Sequence, residues 1–391
     1  VSDRGQAGHS GPEPVAVRVL KLSDFRSYPS LSLRLDAPLV AFVGPNGAGK
    51  TNLLEAVSLL TPGRGLRRAA YGEILRLGGA ERWAVSAVLE HGAAETRLGT
   101  GWERPAPGGS DQGRIVRVDG ADVPSAEALL DHLRILWITP AMDGLFTGPA
   151  GDRRRFLDRL VLAVDPEHGR RSREFERLLT SRNRLLEEGA ASSWCDAVEA
   201  ELAGRGVAIA LARAETVALL SARIAERSAG SAFPAAGLSL TGEFEPLLAG
   251  RSAAEVELAY RRALRDGRER DRAARRTLLG PHRSDLDVVF AEKAVPAALS
   301  STGEQKALLI GLVLAQADLV AATSGMTPIL LLDEIAAHLD PNRRAALFAR
   351  LSALGVQALM TGTDPLLFEH LPEPGLRFRV EDGGAAPIRG A

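Results

Sequence analysis

Gly44-Pro45-Asn46-Gly47-Ala48-Gly49-Lys50-Thr51 is the stretch on which the fold turns. It fits G-x-x-x-x-G-K-[ST] at every position, the pattern of a loop that wraps nucleotide phosphates. Glycines let backbone N–H groups turn inward around the α- and β-phosphates, where side chains would obstruct them. Lys50 supplies positive charge near the β- and γ-phosphates, and the Thr51 hydroxyl is the expected ligand of Mg²⁺. The flanks agree. Leu39 to Val43 is a continuous apolar run that reads as a buried strand, and Thr51 to about Leu60 reads as an apolar helix. That helix points its N-terminus at the anion. Strand, loop and helix open an α/β domain that binds ATP with Mg²⁺.

A second piece lies far downstream. Ile329-Leu330-Leu331-Leu332-Asp333-Glu334 delivers two adjacent carboxylates to the end of a buried strand, where ligands bind in open α/β sheets. Asp333 is the natural partner of the Mg²⁺ shell. Glu334 is the expected catalytic residue, orienting or deprotonating the attacking water, and alternation along the strand should aim its carboxylate away from that of Asp333.

The third piece is Leu299-Ser300-Ser301-Thr302-Gly303-Glu304-Gln305-Lys306, which leads into an apolar helical run, Ala307 to Ala317. An ordinary helix cap uses the same residue types. At about thirty residues before Asp333, however, the turn resembles the signature motif of ABC-type ATPases. What that implies is a role in trans: Ser301, Thr302 and Gly303 of one subunit would cap the γ-phosphate held by the other. Leu339-Asp340 fits the D-loop of the same class. No switch histidine follows the next strand at Thr361-Gly362-Thr363-Asp364, and His338 and His370 read as surface residues.

Lys50 and Asp333 are 283 residues apart. Strand pairing must therefore bring the two ends of the chain together and extrude what lies between. From Asp152 to Ser228 the chain is rich in Ala, Leu, Arg and Glu. Trp194, Val198 and Leu202, and again Val217, Leu220 and Ile224, recur at the spacing of one helix face. A further helical stretch covers about Ala253 to Leu279, and no heptad is sustained. The expected organisation is a tail over 1–14, the first part of an ATPase head over 15–148, an inserted helical lobe over 149–279 and the rest of the head over 280–391. Within the first part, Val15 to Leu35 reads as two short strands. Trp83 to Leu98 and Ile115 to Val118 have strand character too, separated by a Gly- and Pro-rich surface loop, 101–114.

Composition excludes several classes. Apolar residues make up 45% and charged residues 25%, and no apolar run approaches the ~18 residues of a membrane span. Cys195 is alone, so neither an internal disulfide nor a cysteine zinc site is open to the chain. The polar start lacks the pattern of a signal peptide, and the expected location is the cytoplasm. Net charge is −1, so there is no whole-chain basic field for nucleic acid and any DNA binding must come from local patches. Two stretches qualify: 153–184 and 251–283 each carry ten arginines against five acids. Contact through them would be with phosphates, without sequence specificity.

Several motifs then resemble the RecF family of SMC-like ATPases: Phe25-Arg26-Ser27-Tyr28, GPNGAGKTNLLEAVSLL from Gly44, Gly63-Arg64-Gly65-Leu66-Arg67, WITP from Trp137, DRRRFLDR from Asp152, SRNRLL from Ser181, LLGPHRSD from Leu278 and TGEQK from Thr302. They run in the family's order from about residue 15 to 365. The resemblance implies ATP-dependent homodimerisation on double-stranded or gapped DNA, slow hydrolysis, and help in loading RecA with RecO and RecR. It also makes Arg26, Arg67, Arg153, Arg154 and Arg155 candidate contacts to DNA or nucleotide. A short SMC ATPase of another role and a transporter-coupled subunit are the competing readings. The inserted lobe and the missing histidine count against the latter.

Overall fold

The structure, a computed structural model, describes residues 11–106, 113–227 and 231–388. Most of the expected 1–14 tail, the centre of the 101–114 loop and the side chain of His338 lie outside the described residues. In chain order the strands and α-helices are β1 Val15–Phe25, β2 Tyr28–Arg34, β3 Leu39–Val43, α1 Lys50–Ser58, β4 Arg82–His91, β5 Ala94–Glu103, β6 Ile115–Val118, β7 Ala121–Asp122 and β8 Ile135–Ile138. Next come α2 Ala150–Val164, α3 His168–Glu187, α4 Ser192–Arg227, β9 Ala236–Thr241, α5 Ala253–Asp266, α6 Arg268–Ala274, β10 Asp285–Phe290 and β11 Val295–Pro296. The chain closes with α7 Thr302–Ser324, β12 Ile329–Leu332, α8 Pro341–Ala353, β13 Ala358–Gly362, β14 Gly375–Glu381 and β15 Gly384–Pro387.

Two compact units result, one of residues 1–142 with 313–391, the other of 143–312. The boundary therefore falls inside α7. The second unit takes in β10, β11 and the signature turn, which the sequence reading assigned to the head.

The first unit holds two six-stranded sheets. One is antiparallel, in the order β2-β1-β4-β5-β6-β7. The other runs β15-β14-β3-β13-β12-β8, and only β15 is antiparallel in it. Strands β3, β8, β12 and β13 are buried at every residue, which is why LVAFV, ILWI, ILLL and ALMTG carry no alternation. In β4, by contrast, Trp83, Val85, Ala87 and Leu89 face the core and alternate with more exposed residues.

Strand β3, from the N-terminal part, lies between β13 and β14 from the C-terminal part. A buried side chain fastens the same join. Gln357 accepts from the Val17 N–H at 2.7 Å and donates to the carbonyls of Val17, Leu35 and Ala37 at 3.0–3.3 Å. Pro12 and Pro14 did not keep the chain out of the fold either. Glu13 N–H donates to Gly325 O at 2.8 Å and Thr327 N–H to Glu13 O at 2.9 Å, so residues 11–14 are not part of a free tail.

In the second unit α3 and α4 form a helical hairpin, and β11-β10-β9 make a small antiparallel sheet. Its core includes Phe175, Leu202, Val207, Phe244, Val256 and Tyr260. Arg182, fully buried, donates to Glu199 at 2.9 Å, to Asp271 and Thr277 at 2.7 Å, and to the Leu264 carbonyl. This network corrects the expected face of α4. Trp194 is 68% exposed, and the buried stripe runs one residue on, through Cys195, Glu199 and Leu202. Counting apolar residues cannot find a stripe that includes a carboxylate.

Two further corrections concern local reading. β5 continues through Glu103, so the loop after it begins later than Gly101. α7 is long and apolar enough by composition to cross a membrane, but 72% of its most apolar window is buried in the protein, as befits a core helix.

Replacing Gln357 by Leu keeps the volume and strands one buried N–H and three carbonyls. The expected loss is about 2–3 kcal/mol of unfolding free energy, read from the midpoint of urea denaturation.

Candidate nucleotide-binding site

Residues 44–51 join the carboxyl end of β3 to α1, at the edge where an open parallel sheet offers its crevice. Gly44 is required by close packing, since a Cβ there would collide with the Val380 carbonyl of β14. Gly49 is required twice over. Its φ is +105°, and a Cβ would stand 2.7 Å from Ser27 Oγ and 2.8 Å from Tyr28 Oη. Tyr28 is buried and its hydroxyl donates to the Gly49 carbonyl at 3.0 Å, while Asn52 Nδ2 donates to Ser27 Oγ at 2.9 Å. The turn Phe25–Tyr28 thus buttresses the loop, a role visible only in three dimensions.

Pro45 O accepts from Ala48 N–H at 3.2 Å, closing the loop over Asn46 and Gly47. Lys50 is 4% exposed, and its ammonium donates to Gly44 O at 2.8 Å and Pro45 O at 2.9 Å. Burial lowers its pKa, and Glu334 and Asp333 partly restore it.

Thr51 lies in the first turn of α1 and Asp333 follows β12. The Thr51 hydroxyl donates to Asp333 Oδ1 at 3.0 Å. The same oxygen accepts from the Thr361 hydroxyl at 2.7 Å, and Thr361 Oγ1 in turn accepts from the Glu334 N–H at 2.9 Å. Thr361, fully buried on β13, therefore holds both acidic residues. Sequence reasoning passed over it while looking for a histidine nearby. Glu334 sits in the left-handed region at φ +53°. Its direction comes from this turn, because β12 ends at Leu332, and not from strand alternation.

The arginines near the loop have partners. Buried Glu55, one turn after Thr51, accepts from Arg26 Nε and Nη2 at 2.8 and 2.6 Å and from Arg67 Nη1 at 3.0 Å. Arg67 also donates to Asn52 Oδ1 at 2.6 Å.

The other sequence candidates have partners of their own. Asp340 caps α8, accepting from the Arg343 N–H at 2.9 Å. Ser301, Thr302 and Gly303 belong to the second compact unit, at the start of α7. There Ser301 and Glu304 form a capping box, with Ser301 N–H and Oγ donating to Glu304 Oε2 at 2.9 and 3.0 Å. Lys293, then Ser301, hold the Glu304 carboxyl down at about 2. Arg153 clasps Asp285 at 2.7–2.8 Å and donates to Gly148 O at 2.6 Å. Arg154 donates to Ser284 O at 2.9 Å, and Arg155 pairs with Asp152. His370 is exposed.

Fold and site together define an ABC-type P-loop ATPase head of the SMC-like kind, assembled from both ends of the chain. Residues 16–374 match the family described as RecF/RecN/SMC N terminal domain. The DNA replication and repair protein RecF of Mesorhizobium japonicum is 53% identical over 381 residues, covering 97% of this chain and 100% of its own. RecF of Rhizobium etli, strain CIAT 652, is 52% identical over 373 residues, covering 95% and 99%. The chain belongs to the RecF family. Among solved structures, the recombination mediator protein RecF-ATPrS in the RecFOR pathway matches with a TM-score of 0.84 at 21% identity, over 97% of this chain and all of that one. The Pyrococcus furiosus Smc head domain, bound to the C-terminal domain of ScpA, matches with a TM-score of 0.54 at 16% identity, over 96% of each. These two likenesses concern the fold.

Thr361→Val removes the hydroxyl that holds both acids. The expected result is ATP hydrolysis about 10–100-fold slower, with ATP affinity within about threefold of wild type and most of the rate recovered by Thr361→Ser. Single-turnover hydrolysis and nucleotide titration measure the two quantities.

Proposed function

We propose that this chain is an ATP-switched DNA-binding protein of recombinational repair and replication-fork maintenance, working in the cytoplasm. ATP would join two copies on double-stranded or gapped DNA, where they help RecO and RecR load RecA, and slow hydrolysis would release them. One observation carries the reading. The phosphate loop and Asp333 form one cluster in a chain whose relatives, at 52–53% identity, are named DNA replication and repair proteins.

The residues fit Mg-ATP. Thr51 Oγ1 and Asp333 Oδ1 are hard oxygen donors 3.0 Å apart, and Mg²⁺ commonly takes only one or two protein ligands beside phosphate and water. Bound there, the ion would neutralise charge building on the phosphates. Lys50, desolvated and resting on two carbonyls of its own loop, is ready for an anion. Its ammonium would shift from those carbonyls to the β- and γ-phosphates. Glu334 is the group proposed to orient or deprotonate water, because Asp333 is occupied by Thr51 and Thr361.

Gly303 supports a site completed by a second copy. A Cβ at this position would meet nothing within 4 Å, so packing within the chain gives no reason for glycine. Glycine is a poorer helix former than alanine. Close approach of a partner's nucleotide explains its presence. Leu299, just before the turn, is 78% exposed and would be covered in the same event.

Two outcomes test this reading. Sedimentation with Mg-ATP should show a doubled mass for wild type, and Ser301→Arg should stay monomeric at any ATP concentration. Wild type that remains monomeric with both ATP and DNA sinks the proposal. Glu334→Gln keeps size and loses charge, so it should bind ATP and dimerise while hydrolysing about 10²–10⁴-fold more slowly. Hydrolysis at the wild-type rate would remove Glu334 from its assigned role.

A further inference from the structure

The two arginine-rich stretches are alike in composition and differ in use. In the first, Arg153, Arg155, Arg170, Arg171, Arg182 and Arg184 each pair with a carboxylate of the same unit. In the second, Arg261, Arg262, Arg270, Arg275 and Arg276 are exposed and make no side-chain hydrogen bond or ion pair with any described residue. Exposed acids on α5 and α6 are Glu255, Glu257, Asp266 and Glu269, and Glu255 is held by the Ser252 N–H and hydroxyl, so an excess of positive charge remains.

One of these arginines, Arg275, lines a notch of about 240 Å³ between the end of α3 and α6, together with Asn183, Arg184, Arg272 and the carboxylates Glu187 and Asp271. Its floor is stiff, because Asn183 and Asp271 belong to the network around buried Arg182. Asn183 Oδ1 accepts from both the N–H and the hydroxyl of Thr277, at 2.9 and 2.7 Å. That fixes the amide and leaves its Nδ2 as the donor. Arg272 spends Nε on the Leu186 carbonyl, which keeps its two terminal nitrogens free to donate. Arg275 is the telling residue. Arg276 N–H bonds to Asp271 O and Arg275 N–H to Arg272 O, both at 3.1 Å, which is the Schellman closure of a helix. The left-handed position in that closure usually belongs to glycine, yet here arginine holds it at φ +52°. The chain keeps a guanidinium at the notch at the expense of backbone strain.

We infer that this notch seats one phosphodiester of the DNA backbone, with Asn183, Arg272 and Arg275 as donors and Arg270 and Arg276 as flanking cations. The inference rests on the DNA-binding reading above and assigns that contact to the α3–α6 notch rather than to Arg153–Arg155.

The test uses the full chain with ATP and a fluorescent duplex. Arg275→Gly removes the cation and relieves the backbone, so melting should be unchanged or about 2–4 °C higher. Its DNA affinity should nevertheless fall about eightfold near 0.1 M salt, and the slope of log affinity on log salt should shrink by about one. Arg155→Gln should leave that slope alone. An Arg275→Gly protein with wild-type affinity and slope overturns the notch while the DNA-binding reading stands. Wild type that binds no duplex overturns both. Inorganic phosphate that raises the melting point of wild type but not of Arg275→Gly, with DNA affinity unaltered, would make the notch a site for a small phosphate and overturn its assignment to DNA.

Discussion

The Thr51 hydroxyl and the Asp333 carboxylate are 282 residues apart in sequence and 3.0 Å apart in space, and the nucleotide site depends on that contact. Local preference could not create it. The loop is made by β3 and α1, the carboxylate by β12, and only the sheet order β14-β3-β13-β12 brings them to one edge. In a parallel sheet every such edge is a row of carboxyl ends, so inserting β3 among C-terminal strands converts a topological fact into a chemical one. Gln357 secures the same insertion from the opposite, amino ends of the strands, where its amide bonds to β1 and to the β2–β3 connection at once. Closing so long a loop costs little more than closing one half as long, by about 0.6 kcal/mol per doubling. A lobe of some 170 residues is thus a tolerable insertion, provided it carries its own core.

A second carboxylate organises the flank of the site. Glu55 is wholly buried on α1, a position that would be severely unfavourable for an unpaired charge. Arg26 grips it with two nitrogens from a residue at φ +53°, and Arg67 adds a third contact. The hairpin turn between β1 and β2, the phosphate-loop helix and the Gly63–Arg67 loop are therefore one electrostatic unit. A nucleotide or DNA contact at Arg26 or Arg67 would draw on a charge that Glu55 already shares.

Much of this was legible in the sequence. The phosphate loop, the buried strand with two terminal acids and the long separation between them are local patterns plus one subtraction, and they led to a head closed by both ends of the chain. Trp194 illustrates the opposite case, because its helical spacing with Val198 and Leu202 is real but the buried face is set by Glu199 and its two arginines. β14 was passed over although LRFRVE alternates apolar and charged residues, and GAAP of the edge strand β15 is too short and small-residued to show a pattern. Thr361 was hidden for another reason. A single hydroxyl leaves no pattern, and its meaning arises only when β13 pairs with β12. Charge counts misled in a similar way, treating as equal two arginine-rich stretches of which one is largely spent on internal pairs.

One strained residue lies within the nucleotide-site cluster. Glu334, a residue without glycine's freedom, occupies the left-handed region directly after β12, at a cost on the order of 1–3 kcal/mol. The conformation persists because it is held at both ends. Its own N–H is fixed by Thr361 Oγ1, and the residue before it is pinned through Asp333 N–H to Ile138 O and through its carboxylate to two hydroxyls. Relaxing Glu334 toward an ordinary β or α conformation would pull its N–H from Thr361 and leave a polar group unsatisfied beside a buried strand, a penalty of similar size. The two costs oppose each other, so the carboxylate is presented by a turn that has nowhere cheaper to go. That arrangement suits a group whose direction must not drift.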